Sequence, residues 1–107
     1  MPKAKLLLRL ENPIYDSKGN LIGKLSVRIL KVPPNRHHPH GVKYALQFAK
    51  WTGNGYDNDF LRYDNYAKHG DHKHIQGQRL PYQFRGVRQL INDFNQDAIR
   101  LLGMPLI

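Results

Sequence analysis

Over residues 4–10 apolar and polar side chains alternate. Leu6, Leu8 and Leu10 fall on one side, and Lys5, Leu7 and Arg9 on the other, with Leu7 the one break in a half-buried strand. Asn12-Pro13 is expected to end this strand, and Asp16 to Asn20 has the composition of a turn. A second strand follows, with Leu25, Val27 and Ile29 facing one way and Lys24, Ser26 and Arg28 the other, until Pro33-Pro34 stops it. Residues 33–41, PPNRHHPHG, read as an exposed loop. In a third strand Val42, Tyr44, Leu46 and Phe48 alternate with Lys43, Ala45, Gln47 and Ala49, and TGNGYDN at 52–58 connects it onward. A fourth strand is expected over 60–65, with shorter extended pieces near 72–76 and 80–84.

From Val87 the period changes. Val87, Leu90, Ile91, Phe94, Ala98, Leu101 and Leu102 make one stripe of a helix, and Gly103 and Pro105 supply its stop. The expected fold is α+β, an antiparallel sheet of four to six strands with one C-terminal helix packed on one face. It should form a single domain over 1–107 with no linker.

This arrangement makes composition informative. If the helix covers the face carrying Leu6, Leu8, Leu25, Val27, Tyr44, Leu46 and Phe48, the opposite face displays Lys5, Arg9, Lys24, Arg28 and Lys43 in adjacent rows. The chain carries a formal charge of +9 over 107 residues, before six histidines are counted. Such an excess attracts polyanions through counterion release, and nucleic acid is the leading expected partner. An ordinary solvated sheet face is the plain alternative. No cysteine is present, so disulfides and thiolate zinc sites are excluded, and a reducing cytoplasmic setting fits. The three leucines at 6–8 are too short a run for a signal peptide, and nothing is long enough to cross a membrane as a helix. Walker, Rossmann, nucleophile-elbow and HExxH signatures are missing, so no cofactor is expected.

The chemistry concentrates in LRYDNYAKHGDHKH at 61–74. His72 and His74 are two apart and share a side on extended backbone, as do Arg62 and Asp64 on the preceding strand. A hairpin bending through Lys68 to Asp71 would set the two pairs face to face. One reading is metal-independent RNA cleavage. His72 and His74 would be acid and base with His69 in reserve, and Arg62 and Lys73 would grip phosphate. Asp64 or Asp71 would orient an imidazole, and Tyr63 or Tyr66 would stack on an unpaired base. A second reading treats His-x-His as half of a metal site, but no further ligand is fixed by the sequence and no metal is assigned. A third makes Arg62 and Asp64 a surface pair among solvated histidines. Phe60, sharing its parity with Arg62, is a candidate base-contacting aromatic.

The segments AKLLLRL at 4–10, HGVKYALQFA at 40–49, LRYDNYAKHGDHKH at 61–74, PYQF at 81–84 and LINDF at 90–94 together resemble the TumE family of prokaryotic toxin–antitoxin toxins. The resemblance implies a growth-inhibiting toxin and a small antitoxin partner, often of helix-turn-helix type. It supplies no catalytic residues. The resulting expectation is a cytoplasmic toxin acting on RNA, with a homodimer left open. The alternative is a non-catalytic module that binds nucleic acid or protein through its basic face.

Overall fold

The computed structural model describes residues 3–66 and 69–107. Six strands, β1 (Lys5–Tyr15), β2 (Leu21–Lys31), β3 (Val42–Trp51), β4 (Tyr56–Asp64), β5 (His72–Ile75) and β6 (Gln78–Pro81), precede one helix, α1 (Val87–Leu102). The strands form a single antiparallel sheet in sequential order, the α+β architecture that the alternation and the terminal helical stripe predict. No helix is long and apolar enough to cross a membrane among the described residues.

The core lies between the sheet and the helix. Leu25, Val27 and Ile29 of β2, Tyr44, Leu46 and Phe48 of β3, and Leu61 and Tyr63 of β4 meet Leu90, Phe94 and Ala98 of α1, all buried. Each large apolar side chain removed from water here contributes roughly 1.5–3 kcal/mol. Gly23 is required by this packing, because a Cβ there would lie 2.3 Å from the Phe48 ring. Gly103 ends α1 in the left-handed region, its N–H donating to Ile99 O at 2.8 Å.

Three local readings change. Asn12-Pro13 does not end β1, since Asn12, Pro13 and Ile14 pair with Leu25, Lys24 and Gly23. A proline is tolerated on an edge strand because its missing N–H can face outward. A bulge at Leu7 then shifts the register: Leu8 and Leu10 pair with Ile29 and Val27, but Leu6 pairs with Leu30 on the face away from the helix. The same shift pairs Lys5 with Lys31, in the row of Ile29, so Lys5 leaves the basic face on which alternation had placed it. Between Phe48↔Leu61 and Lys50↔Asp57 the β3–β4 ladder is also irregular. Phe60 turns into the core there, edge-on to Phe48 at 6.0 Å, rather than sharing a face with Arg62.

The proline- and histidine-rich loop is docked rather than free. The Asn35 side chain accepts from the N–H groups of His37 and His38, and buried His38 Nε2 donates to Asn65 O at 3.0 Å. Asn65, 1% exposed, extends the ladder past the end of β4. Its Oδ1 accepts from Tyr44 N–H at 3.0 Å and its Nδ2 donates to Val42 O at 2.8 Å. Lys68, which the sequence places in the bend before β5, lies outside the described residues.

Candidate functional site

Antiparallel pairing of β4 with β5 sets Arg62 opposite His74 and Asp64 opposite His72. The helix covers the other face of the sheet, so these four side chains line an open trough of about 870 Å³. Arg28 of β2, Lys43 of β3, Arg79 of β6, Tyr66 and His69 line the same trough.

The two imidazoles lie side by side, with ring centroids 5.1 Å apart and planes at 76°. Their hydrogen bonds give them different chemistry. His72 Nδ1 lies 2.9 Å from Gly70 O, a carbonyl that can only accept, so Nδ1 carries a proton. Its Nε2 turns the other way, 3.1 Å from Asp64 Oδ1. His74 is held the other way. Its Nε2 lies 3.0 Å from Arg62 NH2, and since a guanidinium can only donate, Nε2 accepts and the proton sits on Nδ1. That Nδ1 is buried without a hydrogen-bond partner. Burial lowers the pKa of His74, and the adjacent Arg62 charge lowers it further.

Arg62 is gripped from three sides. Beside the His74 bond, its NH2 lies 3.3 Å from Asp59 Oδ1 and its Nε 3.2 Å from Asp64 Oδ2. Nε has no aligned hydrogen-bond partner, so its contact with Asp64 is one of charge. Asp64 thus joins Arg62 to His72 through its two oxygens. His69 is exposed at the rim, its ring 6.3 Å from that of His72, and Arg79 donates to its backbone carbonyl at 3.2 Å. Tyr66 is 64% exposed, with Lys43 Nζ 5.5 Å over its ring.

Asp71 does orient an imidazole, but that of His40 rather than His72 or His74. His40 Nδ1 accepts from Val42 N–H, and its Nε2 then donates to the Asp71 carboxylate at 3.2 Å. The same carboxylate accepts from Tyr44 OH at 2.7 Å, and burial together with this bond raises the phenol's pKa well above its ordinary value. Phe84 stacks on His40 at 4.1 Å. The cluster locks the 33–41 loop beside the start of β5.

Two of the side chains expected to contact nucleic acid are turned away from the trough by the pleat. Tyr63 is fully buried and donates its hydroxyl to the Asp97 carboxylate of α1, so it has no face for a base. Lys73 falls between His72 and His74 and therefore projects to the helix side, where its Nζ meets Asp97 Oδ2 at 3.1 Å. Arg9 pairs with Arg28 in register on the open face, beyond the site residues. Lys24 lies toward the far end, its Nζ 5.2 Å over the Tyr56 ring. Arg79 was missed, although the Gln76-Gly77 turn sets it directly opposite His74 once β5 and β6 are read as a hairpin. Among the described residues no group of three or more histidines and carboxylates is arranged to hold a metal ion.

Comparison with family models matches residues 9–102 to the family described as Toxin TumE. Neither the curated proteins nor the solved structures give a match.

Proposed function

The chain belongs to the TumE toxin family, matched over residues 9–102, and from that premise we propose that it is a toxin acting on RNA as a metal-independent endoribonuclease. Membership carries the toxin role and an antitoxin partner. The reaction is our reading, supported above all by His72, whose Nδ1 is fixed by a backbone carbonyl while Nε2 faces Asp64 in a cationic trough.

In this reading the RNA lies along the open face, with its phosphates near Arg28 and Arg79 and an unpaired base on Tyr66. His72 Nε2 takes the proton of the 2′-hydroxyl, and Asp64 stabilises the imidazolium that forms. The 2′-oxygen bonds to phosphorus as the bond from phosphorus to the 5′-oxygen breaks. His69, as its imidazolium, gives that leaving oxygen a proton. Arg62 stabilises the charge on the phosphorane. His74 is a positioning residue: with its lone pair engaged by Arg62, it aims the guanidinium rather than moving protons. The products are a 2′,3′-cyclic phosphate and a free 5′-hydroxyl. The antitoxin in this reading is a helix-turn-helix protein.

The test is cleavage of a single-stranded RNA oligonucleotide in EDTA. His72→Ala is expected to lower the rate at least 10²-fold, and a 2′-deoxy substitution at the cleaved nucleotide is expected to block it. Undiminished cleavage by His72→Ala, or an absolute need for a divalent cation, would overturn the mechanism. The cations around the trough would equally serve a non-catalytic RNA binder, which would show salt-sensitive association without cyclic-phosphate product.

A further inference from the structure

Away from the trough, the longer of the two sheet edges, β1, has an outer side that no other strand covers among the described residues. This strand is eleven residues long and ends the sheet, so half of its backbone N–H and C=O groups face away from β2. Nothing among the described residues pairs with that side. Leu6 and Leu7 are 52% and 43% exposed.

The edge is blunted, but selectively. The bulge at Leu7 and the proline at 13 limit regular pairing, and Lys5 and Arg9 put positive charge along the strand. These features oppose addition of a second copy, whose own β1 would bring the same cations against them. The bulge and the proline limit any added strand to part of the edge, but the charge favours an anionic one. On the open face beside this edge lies a hollow of about 410 Å³, with Leu6 and Leu30 as apolar walls and the cations Arg9 and Arg28 outnumbering the one carboxylate, Glu11. Arg9 there has only an exposed contact with Glu11 at 3.4 Å, of the kind that contributes little and exchanges readily.

We propose that the outer edge of β1 is the docking site for an acidic extended segment of the antitoxin, which adds to the sheet as a further strand. Its alternate side chains divide the work. Those on the open face carry carboxylates to Arg9 and Arg28, and the apolar ones between them extend the helix-side row of Leu8 and Leu10, which are only partly buried. Nucleic acid fits this edge poorly, because a row of alternating backbone donors and acceptors flanked by leucines has no match in a phosphate chain. The position also gives the interaction a consequence. Arg28 lines both the hollow and the trough, so a carboxylate bound to it removes one cation from the RNA path.

The probe is a nine-residue peptide alternating Glu with Val, compared with one carrying Lys in place of Glu. Binding to the full chain is followed by titration and by backbone amide hydrogen exchange. The acidic peptide is expected to slow exchange of outward-facing β1 amides at least tenfold, and the lysine peptide to leave them unchanged. Leu7→Pro, at the bulge, and Arg9→Glu, on an exposed side chain, should each weaken binding at least tenfold. His72→Ala should leave it intact, so the result does not depend on the RNA reading. The proposal is overturned by absence of β1 protection, by equal protection from the lysine peptide, or by protection of the same amides by single-stranded RNA. Self-association through β1 that Leu7→Pro abolishes would instead identify a second copy as the occupant, which also overturns it.

Discussion

Two histidines two positions apart on one strand differ in chemistry because of what each nitrogen faces. His72 turns its Nε2 to the Asp64 carboxylate, whereas His74 has surrendered its lone pair to Arg62. The pKa of His74 is lowered first by burial and then by the Arg62 charge, so the folded protein resists protonating it. Below its ordinary value of 6.5 the unfolded chain takes up a proton that the folded one does not. The His74 contribution to stability is therefore complete above that pH and declines as pH falls toward the depressed folded midpoint. An NMR titration should place the His74 midpoint below 6.5, and Arg62→Gln should return it only part of the way, since desolvation, the larger cause, remains. A midpoint unmoved by Arg62→Gln would show that the guanidinium does not act on the ring. Sequence spacing put the two imidazoles on one side but could not distinguish them. The carbonyl of Gly70 and the reach of Arg62 from the neighbouring strand are matters of register.

The helix is fastened to the sheet by a polar hub as well as by its apolar stripe. Asp97 receives Tyr63 OH, Lys73 Nζ at 3.1 Å and Arg100 NH2 at 2.6 Å. Burial alone would raise the pKa of this carboxyl, but the three hydrogen bonds outweigh it and hold the group below the ordinary 3.8. Its stabilisation is complete above that value and is lost as pH falls through the lower folded midpoint. Asp97→Asn is expected to cost about 2 kcal/mol in urea unfolding at pH 6, with the difference from the parent shrinking below pH 4. A constant difference down to pH 2 would refute the assignment. This hub explains why Tyr63 and Lys73 defied their reading. Period-two alternation separates them from Arg62, Asp64, His72 and His74, but their composition invites grouping all six in one cluster. Elements were legible where a pattern ran long, as in β2, β3 and the α1 stripe. They failed at the Leu7 bulge, where one extra residue reverses every side chain beyond it. The docking of His38 and His40 was not legible either, since it depends on Asn65 and Asp71, about thirty residues away.

At the scale of the whole molecule, the charge of +9 becomes directional because the helix occupies one face of the sheet. Arg28, Lys43, Arg62 and Arg79 line the open side, while Lys73 and Arg100 are spent on Asp97 behind it. Net charge alone would make any of these cations equivalent for RNA, whereas placement makes them unequal. In a His72→Ala background, where the RNA stays uncut, anisotropy titrations over a range of salt should separate the two sets. Arg28→Gln and Arg79→Gln should each weaken binding several-fold and lower the slope of log K against log salt by about 0.7, the loss of one phosphate contact on a single strand. Lys73→Gln and Arg100→Gln remove the same charge from the helix side and should leave that slope unchanged, although Lys73→Gln should lower the melting temperature. Equal slopes for all four variants would mean that the RNA responds only to the overall field, and the trough would lose its claim to be the path the strand follows.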